Sequence, residues 1–322
     1  MKKIINLNKQ KLTEIIRNSM VFVALIVLLI VFSFTLKNVG KGFADPANLW
    51  NIIRQTALIA ILSVGMTFAL GAGQIDLSQG SIVAVTTLVS ALVLRRWGVI
   101  PAILAGLSVG LGIGAFNGLL IAYVRMPAFL ATLGTQIVFA GVARTMTSLK
   151  SIPITDETFK AIFGGGDVGN IPVLLVWMLA FLIFGHILLT KMPFGRKILA
   201  IGGNPKSARY SGVNVKKTIL KVMIFSGLLA SIAGILWAGR YGGGRYSIGD
   251  GAETSAIAAS VLGGTSIMGG VASVLGAGAG AVMIGMIDTA LVMYGLDVYQ
   301  QMIVRGMVII IAVASTHKRG DD

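Results

Sequence analysis

Cysteine is absent from the 322 residues, and histidine occurs only as His186 and His317. Disulfide staples, thiolate metal sites and cysteine nucleophiles are thereby excluded, and zinc finds almost no ligands. Charge is scarce too: Asp, Glu, Lys and Arg make up 12% of the chain against 55% hydrophobic residues, about half the charged share of an ordinary soluble domain. A water-soluble surface cannot be built from that composition, so soluble enzyme, nucleic-acid-binding and secreted-scaffold readings fall away. No Gly-x-x-x-x-Gly-Lys-Ser/Thr occurs, so the chain has no P-loop in which to cradle ATP phosphates. His-Glu-x-x-His is missing as well, and no paired carboxylates lie within the apolar runs, which argues against an intramembrane enzyme.

What remains is a succession of apolar runs, such as Met20 to Leu36 and Ile171 to Thr190, close to the ~20 residues that cross a bilayer. The expected fold is an all-α polytopic membrane protein, a single transmembrane domain over 1–322. About ten transmembrane helices are expected near 20–36, 50–71, 77–94, 99–123, 128–148, 171–190, 217–239, 253–271, 273–293 and 298–315. The spans 77–94 and 253–271 are interrupted by Ser, Thr and Gly, which marks them as broken or re-entrant and lowers the count towards eight. Basic residues outnumber acidic ones, 27 to 12, for a net charge of +15. They gather at Lys2 to Arg17 and at Lys191 to Lys221, and the second block contains no acid. By the positive-inside rule this gives a cytoplasmic leader (1–19), a cytoplasmic loop (191–221) and a cytoplasmic tail (316–322). Asp156, Glu157, Asp167, Asp250 and Glu253 fall in the outer segments. The first apolar run lacks a small-residue cleavage pattern and reads as an uncleaved span.

The run Gly110-Leu-Gly112-Ile-Gly114-Ala115 recurs 166 positions later as Gly276-Ala-Gly278-Ala-Gly280-Ala281, each time just after an interrupted segment. The two Gly-rich spans cross in opposite directions, the arrangement of inverted-repeat halves. Small-residue packing between helices accounts for the same glycines without a repeat.

Three motifs stand out. In Gly73-Gln74-Ile75-Asp76-Leu77-Ser78-Gln79-Gly80-Ser81, Asp76 or Ser78 can cap the following helix, and the hydroxyls of Ser78 and Ser81 suit an uncharged sugar. In Gly202-Gly203-Asn204-Pro205-Lys206-Ser207-Ala208-Arg209-Tyr210-Ser211-Gly212, Asn204 suits an N-cap, Pro205 a first helical turn and Gly212 a left-handed stop. So short a helix needs a partner to hold it, whether a cytoplasmic protein or anionic headgroups. In Ala258 to Gly270, paired glycines make a bend at which Thr265 and Ser266 can satisfy freed carbonyls and face a path.

These three ordered motifs resemble those of ribose-type ABC sugar permeases over nearly the whole chain; Gln74 and Gln79 depart from the usual Gly-Gly-Ile-Asp-Leu-Ser-Val-Gly-Ser. The resemblance implies the transmembrane subunit of a bacterial monosaccharide importer in the inner membrane, working on ribose or a related simple sugar. Its implied partners are a second permease subunit (a copy or a close paralogue), a cytoplasmic, double-headed ATPase and an extracytoplasmic sugar-binding protein. The ATPase-coupling residues are Gly202, Asn204, Pro205, Ala208, Arg209, Ser211 and Gly212, and the translocation path is expected at Asp76, Ser78, Ser81, Thr265 and Ser266. No cofactor is expected on this chain, with ATP and magnesium on the ATPase; no metal site and no nucleic-acid partner are expected.

The rival is a proton- or sodium-coupled secondary transporter, which needs carboxylates within the spans. Only Asp76 and Asp288 qualify from the sequence. If the last helical hairpin turns near Leu296-Asp297, Asp288 and Arg305 lie at matching depth, ~12 Å in at ~1.5 Å per residue, and form a structural ion pair. His186, alone in an apolar span, is assigned no function.

Overall fold

The computed structural model describes residues 20–40 and 42–317, so the leader 1–19 and tail residues 318–322 lie outside the described residues. The fold is helical. In chain order the helices are α1 (Met20–Thr35), α2 (Pro46–Gly71), α3 (Gln79–Trp97), α4 (Val99–Ala122), α5 (Ala128–Met146) and α6 (Glu157–Lys160). Then come α7 (Val173–Thr190), α8 (Pro193–Gly203), α9 (Pro205–Tyr210), α10 (Val215–Tyr241), α11 (Ala252–Leu262), α12 (Val274–Met293) and α13 (Val298–His317). Two antiparallel pairs of two-residue strands complete it, β1 (Ile152–Pro153) with β4 (Gly243–Gly244) and β2 (Asp167–Val168) with β3 (Ile171–Pro172). Among the described residues, seven helices (α2, α3, α4, α5, α7, α10 and α12) are long and apolar enough to cross a membrane. The chain is therefore a multi-pass membrane protein.

Helices α2 and α10 form the core. Both are apolar on every side and buried over most of their length, the pattern of a helix surrounded by other helices. They run antiparallel. At one end the Arg240 guanidinium donates to the Arg54 carbonyl, and near the other the Phe68 and Phe225 rings meet with centroids 4.8 Å apart. Small residues set the spacing around them: Gly110 and Gly114 of α4 lie directly on the backbone of α10 at Gly227 and Met223, an approach that larger side chains would forbid.

Two irregular segments reach into this core from opposite ends. Residues 72–78 leave α2 at its α9-facing end and turn back to the level of Leu62. There Gln79 Nε2 donates to the Leu62 carbonyl (3.2 Å) and to Ser226 Oγ (3.0 Å), and α3 begins. Residues 242–251 leave α10 at the other end and run back along α3, where Arg245 N donates to Thr87 Oγ1 (3.3 Å). They reach Gly80, and there α11 begins. Correspondingly, α10 packs on α3 and α4, while α2 packs on α11 and α12.

The two segments expected to be interrupted differ. Helix α3 is continuous over Gln79–Trp97, and two of its hydroxyls bond back to carbonyls of their own turn, Ser81 to Ser78 and Thr87 to Ala84, both 2.8 Å. Its irregularity lies ahead of it. The stretch 253–271 does divide: α11 has 11 residues, about 16 Å at ~1.5 Å per residue and half of a ~30 Å hydrocarbon core, before residues 263–273 turn irregularly into α12. The basic segment 191–221 is also more ordered than a loop, since α8 precedes α9 and turns Gly195, Ile198 and Ile201 inward.

Candidate translocation and coupling sites

Asp76 is fully buried and both its oxygens are engaged. Oδ1 accepts from Ser78 N (3.0 Å) and Ser78 Oγ (2.6 Å), and Oδ2 accepts from Ser226 Oγ (2.6 Å). Ser78 Oγ in turn accepts from Asn117 Nδ2 (2.8 Å), and Thr132 Oγ1 donates to the Ile75 carbonyl (3.0 Å). The re-entrant segment is thus tied to α10, α4 and α5, which supplies the partners a buried carboxylate and freed backbone require. The expected cap takes another form: Ser78 holds the N-cap position of α3 without a side-chain cap bond, and Asp76 bonds the N–H of Ser78 instead. Gln79 Oε1 and Asn117 Oδ1 remain buried without a partner among the described residues.

Glu253 is a residue that the sequence reading misplaced among the outer acids. The structure buries it, 5% exposed, in the first turn of α11, where a helix N-terminus favours a carboxylate. Oε1 accepts from Gln136 Nε2 of α5 (3.1 Å), while Oε2 has no partner among the described residues and lies against Gly80 in the first turn of α3. The two buried helix starts meet across this carboxylate. The misplacement arose because residues 242–251 look like a polar surface loop in sequence, whereas they fold back between helices.

Thr265 and Ser266 stiffen the bend after α11. Thr265 Oγ1 accepts from Ser273 N and Ser266 Oγ from Met268 N, both 3.2 Å. The same bend touches α2 and α8: Gly270 N donates to the Gly71 carbonyl (3.1 Å), and a side chain at Gly202 would overlap both of those groups. Here the end of α8 is pinned to the end of α2 and to the bend.

From that junction the chain enters α9. Asn204 Oδ1 accepts from Ser207 N (3.0 Å), Pro205 occupies the first turn, and Gly212 takes φ +82° just beyond the helix, the start and stop read from the motif. Ala208 is buried, whereas Arg209 and Ser211 are exposed. Beside α9 lies a cavity of about 640 Å³ whose lining includes Arg125, Lys206, Arg209 and Lys216 and no acid. Far from it, Arg305 donates through Nη2 to Asp288 Oδ2 (2.8 Å) and through Nε to Oδ1 (3.3 Å), a two-pronged pair between α12 and α13.

A bundle of apolar helices with re-entrant polar segments and a separate short helix at one end is the architecture of a multi-pass membrane protein. Residues 48–313 match the family described as "Branched-chain amino acid transport system / permease component". The chain is 37% identical over 302 residues to the ribose import permease protein RbsC of Bacillus subtilis (strain 168), covering 92% of both chains. It is 36% identical over 304 residues to the ribose import permease protein RbsC of Escherichia coli (strain K12), again 92% of both. To the xylose transport system permease protein XylH of Escherichia coli (strain K12) it is 30% identical over 358 aligned positions, 92% of this chain and 91% of the relative. No solved structure matches the chain. The chain belongs to the ribose-type ABC permease family: it is a transport component, not an enzyme.

Proposed function

We propose that this chain forms the translocation path of an ATP-driven importer for a monosaccharide, ribose, xylose or a related simple sugar. The observation that carries the reading is the conjunction of the capped α9, which follows directly on the α8 end pinned at the Gly71–Gly202–Gly270 junction, with relatives named as ribose and xylose permeases over nine-tenths of their length. In this reading the α9 end faces the cytoplasm together with both termini, in agreement with the acid-free basic block, and Gly202 to Gly212 receives the ATPase. ATP and magnesium reside on that subunit. A second permease copy or close paralogue completes the pore, and an extracytoplasmic binding protein delivers the sugar to the opposite end.

The two re-entrant segments, entering from opposite ends to one level, support inverted-repeat halves, with α2 to α5 answering α10 to α13. These eight, with α1 and α7, make ten membrane-embedded segments, of which α11 crosses half the core. Asp76, Ser78 and Ser81 hold one re-entrant segment, Thr265 and Ser266 the bend after the other, and the path runs beside them.

The test is reconstitution in proteoliposomes with the cognate ATPase and binding protein. The complete complex takes up ribose or xylose with sugar-stimulated ATP hydrolysis, and the isolated permease hydrolyses none. Uptake that a protonophore abolishes while ATP is plentiful would favour the secondary-transporter reading instead.

A further inference from the structure

Between α2, α10, α11, α12 and α13 lies a cavity of about 320 Å³, at the low end of the ~300–1,000 Å³ typical of small-ligand sites. It sits away from the Asp76 network and from α9, towards the end of the bundle where Arg240 meets Arg54. Gln55, Trp237, Arg240, Ser255, Asp288 and Arg305 contribute to its wall. Ionisable groups at membrane depth are costly and occur where they are paired or used. Asp288 and Arg305 account for one another. Arg240 has no carboxylate partner among the described residues; it donates to the Arg54 carbonyl and lies 5.4 Å over the Tyr241 ring. Trp237 Nε1 and the Gln55 amide likewise form no hydrogen bond among the described residues, although the Trp237 side chain is only 8% exposed. Packing and pairing therefore explain part of this wall and leave an indole N–H, a carboxamide and a guanidinium edge around one small space.

We propose that this cavity is a sugar subsite of the path, taking a neutral, hydroxyl-bearing ring of monosaccharide size. Chemistry selects that class. Asp288 and Arg305 offset one another, Arg240 is drawn to the Arg54 carbonyl and the Tyr241 ring, and two guanidiniums oppose a cation, which leaves hydrogen bonding to a neutral solute as the main use of the wall. Planar carboxylate, guanidinium and carboxamide groups can each engage neighbouring hydroxyls, and the indole face covers a C–H surface. The carboxylate–guanidinium pair then has a second use, since two groups that hold each other in place are ready for hydroxyls without rearrangement. The inference rests on the import reading and adds to it a location.

The experiment uses the full complex of permease, ATPase and binding protein in proteoliposomes, with D-ribose and D-xylose as probes and sugar moved per ATP hydrolysed as the readout. Gln55→Ala alters an exposed side chain and Trp237→Phe keeps an aromatic ring. Both variants assemble and hydrolyse ATP, and the transport ratio falls about tenfold, the loss of one or two hydrogen bonds to the solute. An unchanged ratio in both variants, with wild type active, overturns the subsite and leaves the import reading standing. A wild-type complex that moves neither these sugars nor hexoses sinks the import reading and the subsite with it. In nanodiscs, a ribose-dependent change in emission that Trp237→Phe removes supports the proposal. Retention of an anionic phospholipid that Arg240→Gln releases, with no response to sugar, assigns the cavity to a headgroup and overturns it.

Discussion

Glu253 Oε2 fills the space in which a side chain at Gly80 would stand, so the first turns of α3 and α11 meet with a single buried carboxylate between them. The Gly249 carbonyl crowds the same point at 2.5 Å from a Cβ placed there. Gly80→Ala therefore forces backbone apart at the centre of the fold and is expected to cost about 1–3 kcal/mol. Gly112, with nothing within 4 Å of an added Cβ, is the control: Gly112→Ala should be neutral or stabilising by up to ~1 kcal/mol. Thermal unfolding in detergent reads both, and equal shifts would show that the two helix starts do not touch.

Asp76→Asn is expected to keep substantial uptake and Asp76→Leu to lose it. A carboxamide oxygen still accepts from Ser78, and the Ser226 hydroxyl can turn to accept from the new amide. Leucine strands Ser78 and Ser226 in a buried site, at about 1–3 kcal/mol for each unsatisfied group. Uptake normalised to membrane yield separates the cases, and loss of transport in Asp76→Asn at normal yield would give the ionised form a role of its own.

Removing both ends of α9, Asn204→Ala with Gly212→Val, should leave the protein in the membrane but detach it from the ATPase. The first change removes the cap on Ser207 N, about 1 kcal/mol. The second places a β-branched residue at φ +82°, ~1–2 kcal/mol or more. Co-purification with the ATPase is the measurement, and full complex yield with normal uptake would take α9 out of the coupling.

For Asp288 and Arg305 a mutant cycle is decisive. Asp288→Asn or Arg305→Gln leaves a charge without its counterpart at membrane depth, and each should lower thermal stability more than the double variant does. Additive losses would show that the pair contributes no coupling.

Much of this was legible in sequence because hydropathy reports burial in lipid directly. The apolar runs mark the helices, the Asn204–Pro205 start and Gly212 stop mark α9, and equal distances from the Leu296–Asp297 turn place Asp288 opposite Arg305. Interrupted spans were legible, but the points at which the chain reverses were not. Residues 242–251 carry Arg245, Asp250 and several glycines, and composition alone cannot separate a polar loop at the surface from one folded back along α3. Hence Glu253 was placed outside, and its contact with Gln136, more than a hundred positions away, had no local signal. Helix α8 was missed because its inward residues, Gly195, Ile198 and Ile201, are few and lie amid lysines and arginines.

The two re-entrant segments that stop at one level also make the middle of the protomer a single seam. Gln79 is fully buried and Glu253 nearly so, and the two helix starts close on each other in one thin layer at Gly80 and Gly249. A thin layer opens with little motion. Separating the two helix starts by less than one helical pitch, ~5.4 Å, would breach it, and the same economy makes the seal sensitive to any change at Gly80.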